Sequence, residues 1–289
     1  MGFVNRTEEL AALRSWWERP AARPALVWGR RRVGKSALLQ HFAAETGGPV
    51  VFHTGTGEAP GAEIASLCRQ TADVTASLLE SLEPGITEDE MAARTAAALL
   101  ELGITPTVLL MAVDDRIRKY KHAVPRQGRL ERYGMINLCA RKHGLVGSIT
   151  RFVHFGPVPA DLAGSFKSAA HIHSELLHAT RAGATSAQLF DVAHKAYVAA
   201  GADEEIELHH QGGPCGYTER EWIITPSGTE TVALPQAFAY NPSLRGAKVE
   251  DTAVVTEVAV EILTDTPTLP IIETVIDGEV YRSAGVLQR

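Results

Sequence analysis

The residues best suited to chemistry lie in three polar turns, each bounded by residues that favour β-strands. The first stretch, 135–151, places a Lys-His-Gly turn between two apolar, β-prone runs, which predicts a hairpin. The second, 208–217, is rich in histidine and glycine, and the third, 241–252, mixes polar residues with a Glu-Asp pair. Turns this far apart in sequence can meet in an antiparallel sheet, so the pattern indicates one composite site.

A second chemical motif lies near the N-terminus, where GRRRVGKS (29–36) follows a short apolar run and precedes an apolar helical pattern. This is the spacing Gly-x-x-x-x-Gly-Lys-Ser of a phosphate-binding loop in its expected strand–loop–helix setting. Gly29 and Gly34 let backbone amides turn towards phosphates, Lys35 reaches the β/γ oxygens, and the Ser36 hydroxyl holds magnesium. The motif indicates ATP and magnesium as ligands of this segment, and the alternative left open is a gene-fusion remnant that does not bind nucleotide.

Composition indicates a soluble globular protein of 289 residues with a formal charge of −6 and a pI near 6.0. A chain that binds nucleic acid generally needs a basic face, so nucleic acid is not an expected partner. The three cysteines fit neither a disulfide framework nor a zinc motif. The sequence has no apolar run of membrane-spanning length and no signal-peptide pattern, which predicts a cytoplasmic protein without a membrane partner.

The order of predicted elements indicates an α+β fold rather than an alternating parallel sheet. Apolar periodicity predicts helices and β-prone runs predict strands. The helices are expected at 3–19, 63–102 (broken at 83–88) and 160–200, and the strands at 24–28, 49–55, 107–113, 134–154 and 271–283. The predicted domains are a short P-loop α/β segment at 1–61 and a second domain at 62–289.

Local signals fix some helix ends. Asn5 or Thr7 is expected to cap the first helix. Thr87 and Glu90 have the Thr-x-x-Glu spacing of a capping box, which predicts a helix start after the break at 83–88. A second turn and cap of the same type is expected at 182–187.

The stretches FVNRTEELAALRSWW, LVWGRRRVGKSALLQHF and VVFHTG resemble the opening of P-loop ATPases related to the AAA class, over about residues 3–57. Such ATPases continue with a Walker B strand, a sensor and an arginine finger. A candidate for the Walker B strand is VLLMAVDD at 108–115, whose Asp114 or Asp115 could hold magnesium. The alternative, which we prefer, is that it is a core strand of the following domain.

From about residue 63 onwards, the motifs PGITE, DDRIRKYKHAVP, SITRFVHFG, HHQGGPCGY, NPS and KVEDTAVVTE resemble, in order, the creatinase, aminopeptidase P and methionine aminopeptidase family. The resemblance implies the pita-bread fold, a pseudo-symmetric domain with a curved sheet, outer helices and a site in the concave face. Its peptidase members hold two divalent metals through five side chains, which polarise a carbonyl and activate water.

Four of the five metal-ligand positions implied by the resemblance carry other residues here. The two aspartates fall at Asn137 and Ser148, the histidine at Gly213 and the first glutamate at Asn241. Only the last glutamate is retained, as Glu250. Because these replacements cannot neutralise two cations, the sequence predicts that the pita-bread domain requires no metal cofactor.

Creatinase shows that this fold can act without metal, through a histidine that serves as acid and base. The matching histidine is His122, and the resemblance gives Glu250 and Glu221 as catalytic partners. The sequence leaves open whether His122 is functional, because its geometry with a partner is inferred only through the family resemblance. The expected substrate-binding residues, which could also be drift in an inactive site, are Asn137, Ser148, Arg151, His210, Gln211, Arg220 and Asn241.

The favoured function is a creatinase- or aminopeptidase P-like protein that lacks a dinuclear metal site and hydrolyses a C–N bond in a small polar substrate. Three alternatives stay open: a non-catalytic module that binds a ligand, peptide or protein, a P-loop ATP-binding protein, and an Xaa-Pro-type metallopeptidase with atypical ligands. Dimers are common in the resembled family, so a homodimer is one assembly that the resemblance allows.

Overall fold

The computed structural model describes residues 6–18, 35–46 and 60–289, in two compact units, Met1–His53 and Thr54–Arg289. In the smaller unit, helix α1 (Thr7–Trp17) contacts helix α2 (Lys35–Thr46). Their buried residues form one apolar cluster: Leu10, Leu13, Leu38 and Phe42.

The prediction for the start of α1 is wrong in one respect. Arg6 occupies the N-cap position, without a side-chain capping hydrogen bond, and Thr7 is already the first helical residue. The other proposed cap, Asn5, lies outside the described residues, as do the strands expected at 24–28 and 49–55.

The larger unit alternates helix pairs with antiparallel strands. Its elements are α3 (Pro60–Ser81), α4 (Glu88–Glu101), β1 (Thr105–Val113), α5 (Asp115–Lys119), β2 (Tyr133–Lys142), β3 (Leu145–His154), α6 (Ala160–Ala179), α7 (Ser186–Ala199), a 3-10 helix (Asp203–Leu208), β4 (Gly212–Cys215), β5 (Gln236–Tyr240), β6 (Ser243–Leu244), β7 (Ala247–Lys248), β8 (Asp251–Val255), β9 (Val260–Ile262), β10 (Ile271–Ile276), β11 (Glu279–Ala284) and β12 (Val286–Gln288). The mixture of helices and strands, which pair antiparallel except for β12 against β3, confirms the α+β prediction.

The first half of this unit is the sheet β1-β2-β3-β12, covered by helices α3 and α4. Strand β3 is buried along its whole length, because alternate residues enter two different apolar clusters. Ile149 and Val153 pack in the cluster beneath α3, whereas Phe152 packs in the cluster that contains α6 and α7 residues. Because both faces of the sheet are covered, the polar side chains that β3 buries are held in fixed positions.

The predicted hairpin is confirmed as β2 and β3. His143 and Gly144 have φ angles of 53° and 91°, so the tight turn uses the left-handed conformation at both central positions. The resulting register places Asn137 opposite Thr150, and Cys139 opposite Ser148. Both pairs belong to the candidate site.

The second half repeats the arrangement with helices α6 and α7 and the sheet β4-β5-β8-β9. An isolated bridge between Thr150 and Glu250 connects β3 to the start of β8. Both capping boxes are confirmed, with Thr87 accepting from the Glu90 amide and Thr185 accepting from the Gln188 amide. This duplication brings the two expected metal-bearing segments, the hairpin and β8, into contact.

The stretch 108–115 is a core strand followed by a turn. Its residues 108–113 belong to β1, which pairs antiparallel with β2. Both carboxylate oxygens of Asp114 accept backbone N–H groups, from Glu131, Arg132 and Tyr133. Asp114 therefore stabilises the entry into β2. Among the residues that the structure describes, no helix is both long and apolar enough to span a membrane.

Candidate functional site

The candidate site is centred on the carboxylate of Glu250, which is 2% exposed. Oε2 accepts hydrogen bonds from Asn137 Nδ2 and from Thr150 Oγ1, both at 2.6 Å. Asn137 Nδ2 also lies 2.7 Å from Thr150 Oγ1. The register of the hairpin and the bridge to β8 bring these three side chains together.

Two cationic side chains complete the surroundings of Glu250. Lys248 Nζ lies 3.0 Å from Oε2, and Arg220 Nη2 lies 2.9 Å from Oε1. Two cations against one carboxylate leave one net positive charge in this cluster. We call these five residues (Asn137, Thr150, Arg220, Lys248 and Glu250) the Glu250 network.

The network determines the protonation state of its carboxylate. Burial by itself would raise the pKa of Glu250, but Lys248, Arg220 and the hydrogen bond from Thr150 outweigh burial and hold the pKa well below its usual range. Glu250 is therefore ionised at neutral pH, and each of its oxygens already has a partner.

Arg220 connects the network to the second aspartate position. Its Nη1 donates to Ser148 Oγ at 3.1 Å, and Ser148 Oγ lies 3.2 Å from Cys139 Sγ. Burial, with a smaller effect of Glu250, raises the pKa of the Cys139 thiol to about 11. The thiol is therefore a neutral packing group at physiological pH.

Arg151 lies beside the network, but its guanidinium is fully used inside the protein. It pairs with Asp251 at 2.5 Å and donates to Thr266 Oγ1 at 2.9 Å and to three backbone carbonyls. The side chain is 2% exposed. Arg151 thus ties β3 to β8 and to the loop that follows β9.

Three histidines form a second cluster, which we call the histidine cluster: His122, His209 and His210. The ring centroids of His122 and His209 lie 4.6 Å apart, as do those of His209 and His210, with the rings roughly parallel. One nitrogen from each ring lies within 4.8 Å of the others. His122 is exposed, His209 is buried, and His210 is intermediate.

Burial and nearby cations keep these rings neutral. Burial, with Lys248 next in importance, lowers the pKa of His209 to about 2. Burial and Arg220 lower the pKa of His210 to about 4. The pKa of His122 is also lowered, by burial and by Lys248. Since Lys248 and Glu250 influence all three rings, the histidine cluster and the Glu250 network share one electrostatic environment.

The histidine cluster is held from behind by buried polar groups. Gln211 Nε2 donates to the His209 carbonyl at 2.6 Å, and Tyr197 Oη donates to Gln211 Oε1 at 2.9 Å. Lys121, beside His122, lies 2.7 Å from Glu205. Gln211 is therefore fully engaged in bracing the turn that carries His209 and His210.

The remaining predicted residues separate into two environments. Asn241 is buried next to Gln211, and its Oδ1 has no hydrogen-bond partner within the described structure. Glu221 is exposed and accepts only a long hydrogen bond, 3.4 Å, from the Tyr217 amide. Among the described contacts, none joins Glu221 to His122 or Glu250.

Sequence reasoning missed Lys248, Thr150 and the pairing role of His209. A signal for Lys248 exists, because a lysine two residues before a glutamate in an extended segment can share its face. Nothing local marks the contact of Thr150 with Glu250 or that of His209 with His122, since both partners are distant in sequence.

The residues present do not fit the dinuclear metal site of the resembled peptidases. Asn137, Ser148 and Asn241 supply no anionic oxygen, and both oxygens of Glu250 are paired with cations. At Gly213, an added Cβ would lie 2.2 Å from the Trp222 carbonyl oxygen, so this backbone leaves no room for a ligand side chain.

The family of the larger unit is established by comparison with known proteins. Residues 62–257 match the model of metallopeptidase family M24, and the chain belongs to that family. The match covers strands β1 to β8 and every residue of the Glu250 network, and this is consistent with the ordered motifs in the sequence.

Solved structures with the same fold include three peptidases. The prolidase from Pyrococcus furiosus has a TM-score of 0.64 at 21% identity, covering 70% of this chain and 63% of that one. The X-Pro aminopeptidase from Thermotoga maritima has a TM-score of 0.67 at 18% identity, covering 88% and 72%. The methionine aminopeptidase from Rickettsia prowazekii has a TM-score of 0.57 at 13% identity, covering 75% and all of that chain. The pita-bread prediction is confirmed.

The N-terminal segment matches a different class of protein. Residues 3–104 match the model of an ATPase domain found predominantly in Archaea, which overlaps the M24 match at 62–104. A stretch of 40 residues is 48% identical to an uncharacterized ATP-binding protein of Methanocaldococcus jannaschii, covering 14% of this chain and 68% of that protein. Gly29 and Gly34 lie outside the described residues, and Lys35 and Ser36 begin α2.

Proposed function

We propose that residues 62–289 form a metal-independent hydrolase that cleaves a C–N bond in a small polar substrate. The observation that carries the proposal is the Glu250 network. In it, Arg220 and Lys248 are paired with Glu250, the one glutamate retained from the five metal-ligand positions of the resembled peptidases. Hydrolysis in this pocket then depends on the protein's own acid–base groups, as the donor chemistry leaves no dinuclear centre.

The excess positive charge of the network favours a substrate with an anionic group. Arg220 contacts both Glu250 and Ser148 and is a planar donor suited to a carboxylate. Its Nε is buried without a partner in the described structure, as is Asn241 Oδ1. Unsatisfied polar atoms are costly unless a ligand or water pairs with them, so both support a polar ligand here.

His122 is the proposed proton carrier. Its ring is exposed and makes no side-chain hydrogen bond in the described structure, so it is free to meet a substrate. It would accept a proton from an attacking water as the C–O bond forms. It would then donate that proton to the leaving nitrogen as the C–N bond breaks.

The other predicted residues take narrower roles in the proposal. Glu250 fixes the positions of Arg220 and Lys248 and is fully paired, so its role is electrostatic rather than proton transfer. His210 and Ser148 line the substrate side with Asn241. Asn137, Arg151 and Gln211 hold the site in shape, and Glu221 is a surface group for which we propose no step.

The test is hydrolysis of creatine-like compounds and X-Pro dipeptides by chelator-treated full-length protein. We expect activity that survives chelation and that falls by about 10²-fold or more in His122→Ala, the typical size of an acid–base contribution. His194→Ala, another exposed histidine, serves as the matched control. Activity that requires added metal, or that is unchanged in His122→Ala, would contradict the proposal. Ligand binding without turnover would favour the alternative of a binding module.

Nucleotide binding is a second candidate function, for the N-terminal segment alone. It is supported by the match to an archaeal ATPase domain and by the Gly-x-x-x-x-Gly-Lys-Ser motif. A fluorescent ATP analogue with magnesium should bind the full chain and be lost in Lys35→Ala. Lys167→Ala, which changes an exposed lysine of α6, should bind normally. Equal binding by both variants would remove the P-loop from the proposal.

A homodimer in the cytoplasm is the assembly and location that we propose with this function. Neither depends on the chemistry above. Size-exclusion chromatography with light scattering gives the mass in solution directly, and a monomeric mass would reject the dimer.

A further inference from the structure

We propose that the histidine cluster is a mononuclear site for a transition-metal cation of the Zn²⁺, Co²⁺ or Ni²⁺ type. It is distinct from the carboxylate-based site of the M24 peptidases, since none of the five inherited ligand positions contributes to it. The three residues come from two segments, the loop after α5 and the turn before β4.

The geometry already brings three potential ligand nitrogens together. One nitrogen of each ring lies within 4.8 Å of the others. Three imidazoles around one zinc ion, each about 2.0–2.1 Å from it, require nitrogens roughly 3.4 Å apart. His122 is exposed in the loop between α5 and β2, so a side-chain rotation can bring its nitrogen closer to the other two.

His209 gives independent support for a ligand. It is 6% exposed, and neither Nδ1 nor Nε2 has a hydrogen-bond partner in the described structure. A buried imidazole with two unsatisfied nitrogens is costly unless something coordinates or hydrogen-bonds to it. His210 Nδ1 accepts a hydrogen bond from the Gly212 amide at 3.2 Å, so Nε2 is the nitrogen left to coordinate a cation, with release of its proton.

The net charge near the cluster does not itself attract a cation, so the donor atoms determine which cations fit. Lys248 and Glu250 compensate each other, and Arg220 adds a positive charge near His210. Hard cations such as Mg²⁺ and Ca²⁺ need anionic oxygen ligands, which the cluster lacks. Neutral imidazoles suit Zn²⁺, Ni²⁺ and Cu²⁺. The replacement of oxygen ligands by nitrogen ligands therefore changes the metal preference as well as the location.

Metal bound here would occupy the lone pair that His122 needs for proton transfer. A bound cation would then inhibit the hydrolysis proposed above, and this consequence rests on that proposed function. The metal site itself does not, because binding is measured in the absence of substrate.

The test is titration of chelator-treated full-length protein, free of nucleotide, with cobalt chloride and with zinc chloride. We expect about one tight cobalt ion per chain, seen as visible absorption of nitrogen-coordinated Co²⁺ and displaced by zinc. Magnesium chloride should displace neither ion. The affinity for cobalt should fall at least about tenfold in His122→Ala. Removing a residue that only hydrogen-bonds to a metal ligand already lowers metal affinity by about tenfold or more, and His122 is a proposed ligand itself.

His194→Ala is the control, and it should bind as the unchanged protein does. His122 is exposed, so its substitution should leave the thermal unfolding temperature unchanged, and His210→Ala provides a second variant at the same site. The metal site would be overturned if the unchanged protein bound neither cobalt nor zinc stoichiometrically. It would also be overturned if His122→Ala and His210→Ala both bound metal as tightly as the unchanged protein. Tight binding without inhibition of any measured hydrolysis would leave the metal site and reject the role of His122.

Discussion

Replacing Glu250 by glutamine isolates the charge that holds the Glu250 network together. The substitution keeps the side-chain shape but leaves Arg220 and Lys248 buried without their carboxylate. Removing one partner of a buried ion pair costs about 3–5 kcal/mol, because the remaining charge has lost its solvation and its counterion. For a domain of this size, each kcal/mol lowers the melting temperature by about 2–4 °C. We therefore expect a decrease of roughly 6–20 °C.

The pKa of Glu250 also predicts how this loss of stability changes with pH. The pKa of Glu250 in the folded state is lower than its ordinary value of 4.5. Its contribution to stability is therefore complete above the unfolded-state pKa and is lost as the pH falls towards the folded-state pKa. The difference in unfolding free energy between the wild type and Glu250→Gln should be constant above about pH 5.5 and should shrink below it.

Urea unfolding followed by circular dichroism at a series of pH values measures this difference. Glu221→Gln removes a carboxylate that is exposed and weakly bonded, so it should change stability by no more than about 0.5 kcal/mol. Lys248→Met should cost less than Glu250→Gln, because Arg220 still pairs with the carboxylate. A loss below about 1 kcal/mol in Glu250→Gln, or a difference that does not shrink in acid, would refute the reasoning.

Three further predictions test the surrounding fold. Thr87→Ala removes a capping box and should lower the unfolding free energy by about 0.5–2 kcal/mol in the same urea assay; no change would show that the box is not stabilising. Arg151→Lys keeps the charge but loses at least two buried hydrogen bonds, so we expect a loss of at least about 2 kcal/mol, and a neutral result would contradict its bracing role. The three cysteines are buried, so a thiol reagent should label them only after unfolding, and rapid labelling of the native protein would argue against the packing.

The sequence predicted most reliably those features that depend on neighbouring residues. Both capping boxes and the hairpin turn at 142–144 formed as expected, because their hydrogen bonds join residues three apart or fewer. The start of α1 is the exception, because Arg6 occupies the N-cap position instead of the expected Asn5 or Thr7.

The site was predicted in outline rather than in its interactions. Motif order predicted that Asn137, Ser148 and Glu250 belong to one site, and in the structure Asn137 contacts Glu250 while Arg220 connects Ser148 to Glu250. The pairing of Lys248 with Glu250 was not foreseen, because whether two nearby side chains share a pocket depends on the long-range contacts around them. His209 was likewise hidden, since a histidine in a Gly-rich turn gives no sign of being buried.

Asn137 and Glu250, at two of the five positions where the resembled peptidases hold metal, are joined here by a hydrogen bond. Two metal ions need negative charge, and the site now has one carboxylate already paired with two cations. Restoring an aspartate at position 137 would add a charge that Lys248 and Arg220 can also neutralise, so the network would compete with any cation. Restoring the histidine is excluded by the backbone at Gly213, where the Trp222 carbonyl fills the space of a Cβ. A dinuclear site of the resembled kind would therefore require simultaneous changes on three segments, whereas one nitrogen from each ring of the histidine cluster already lies within 4.8 Å of the others.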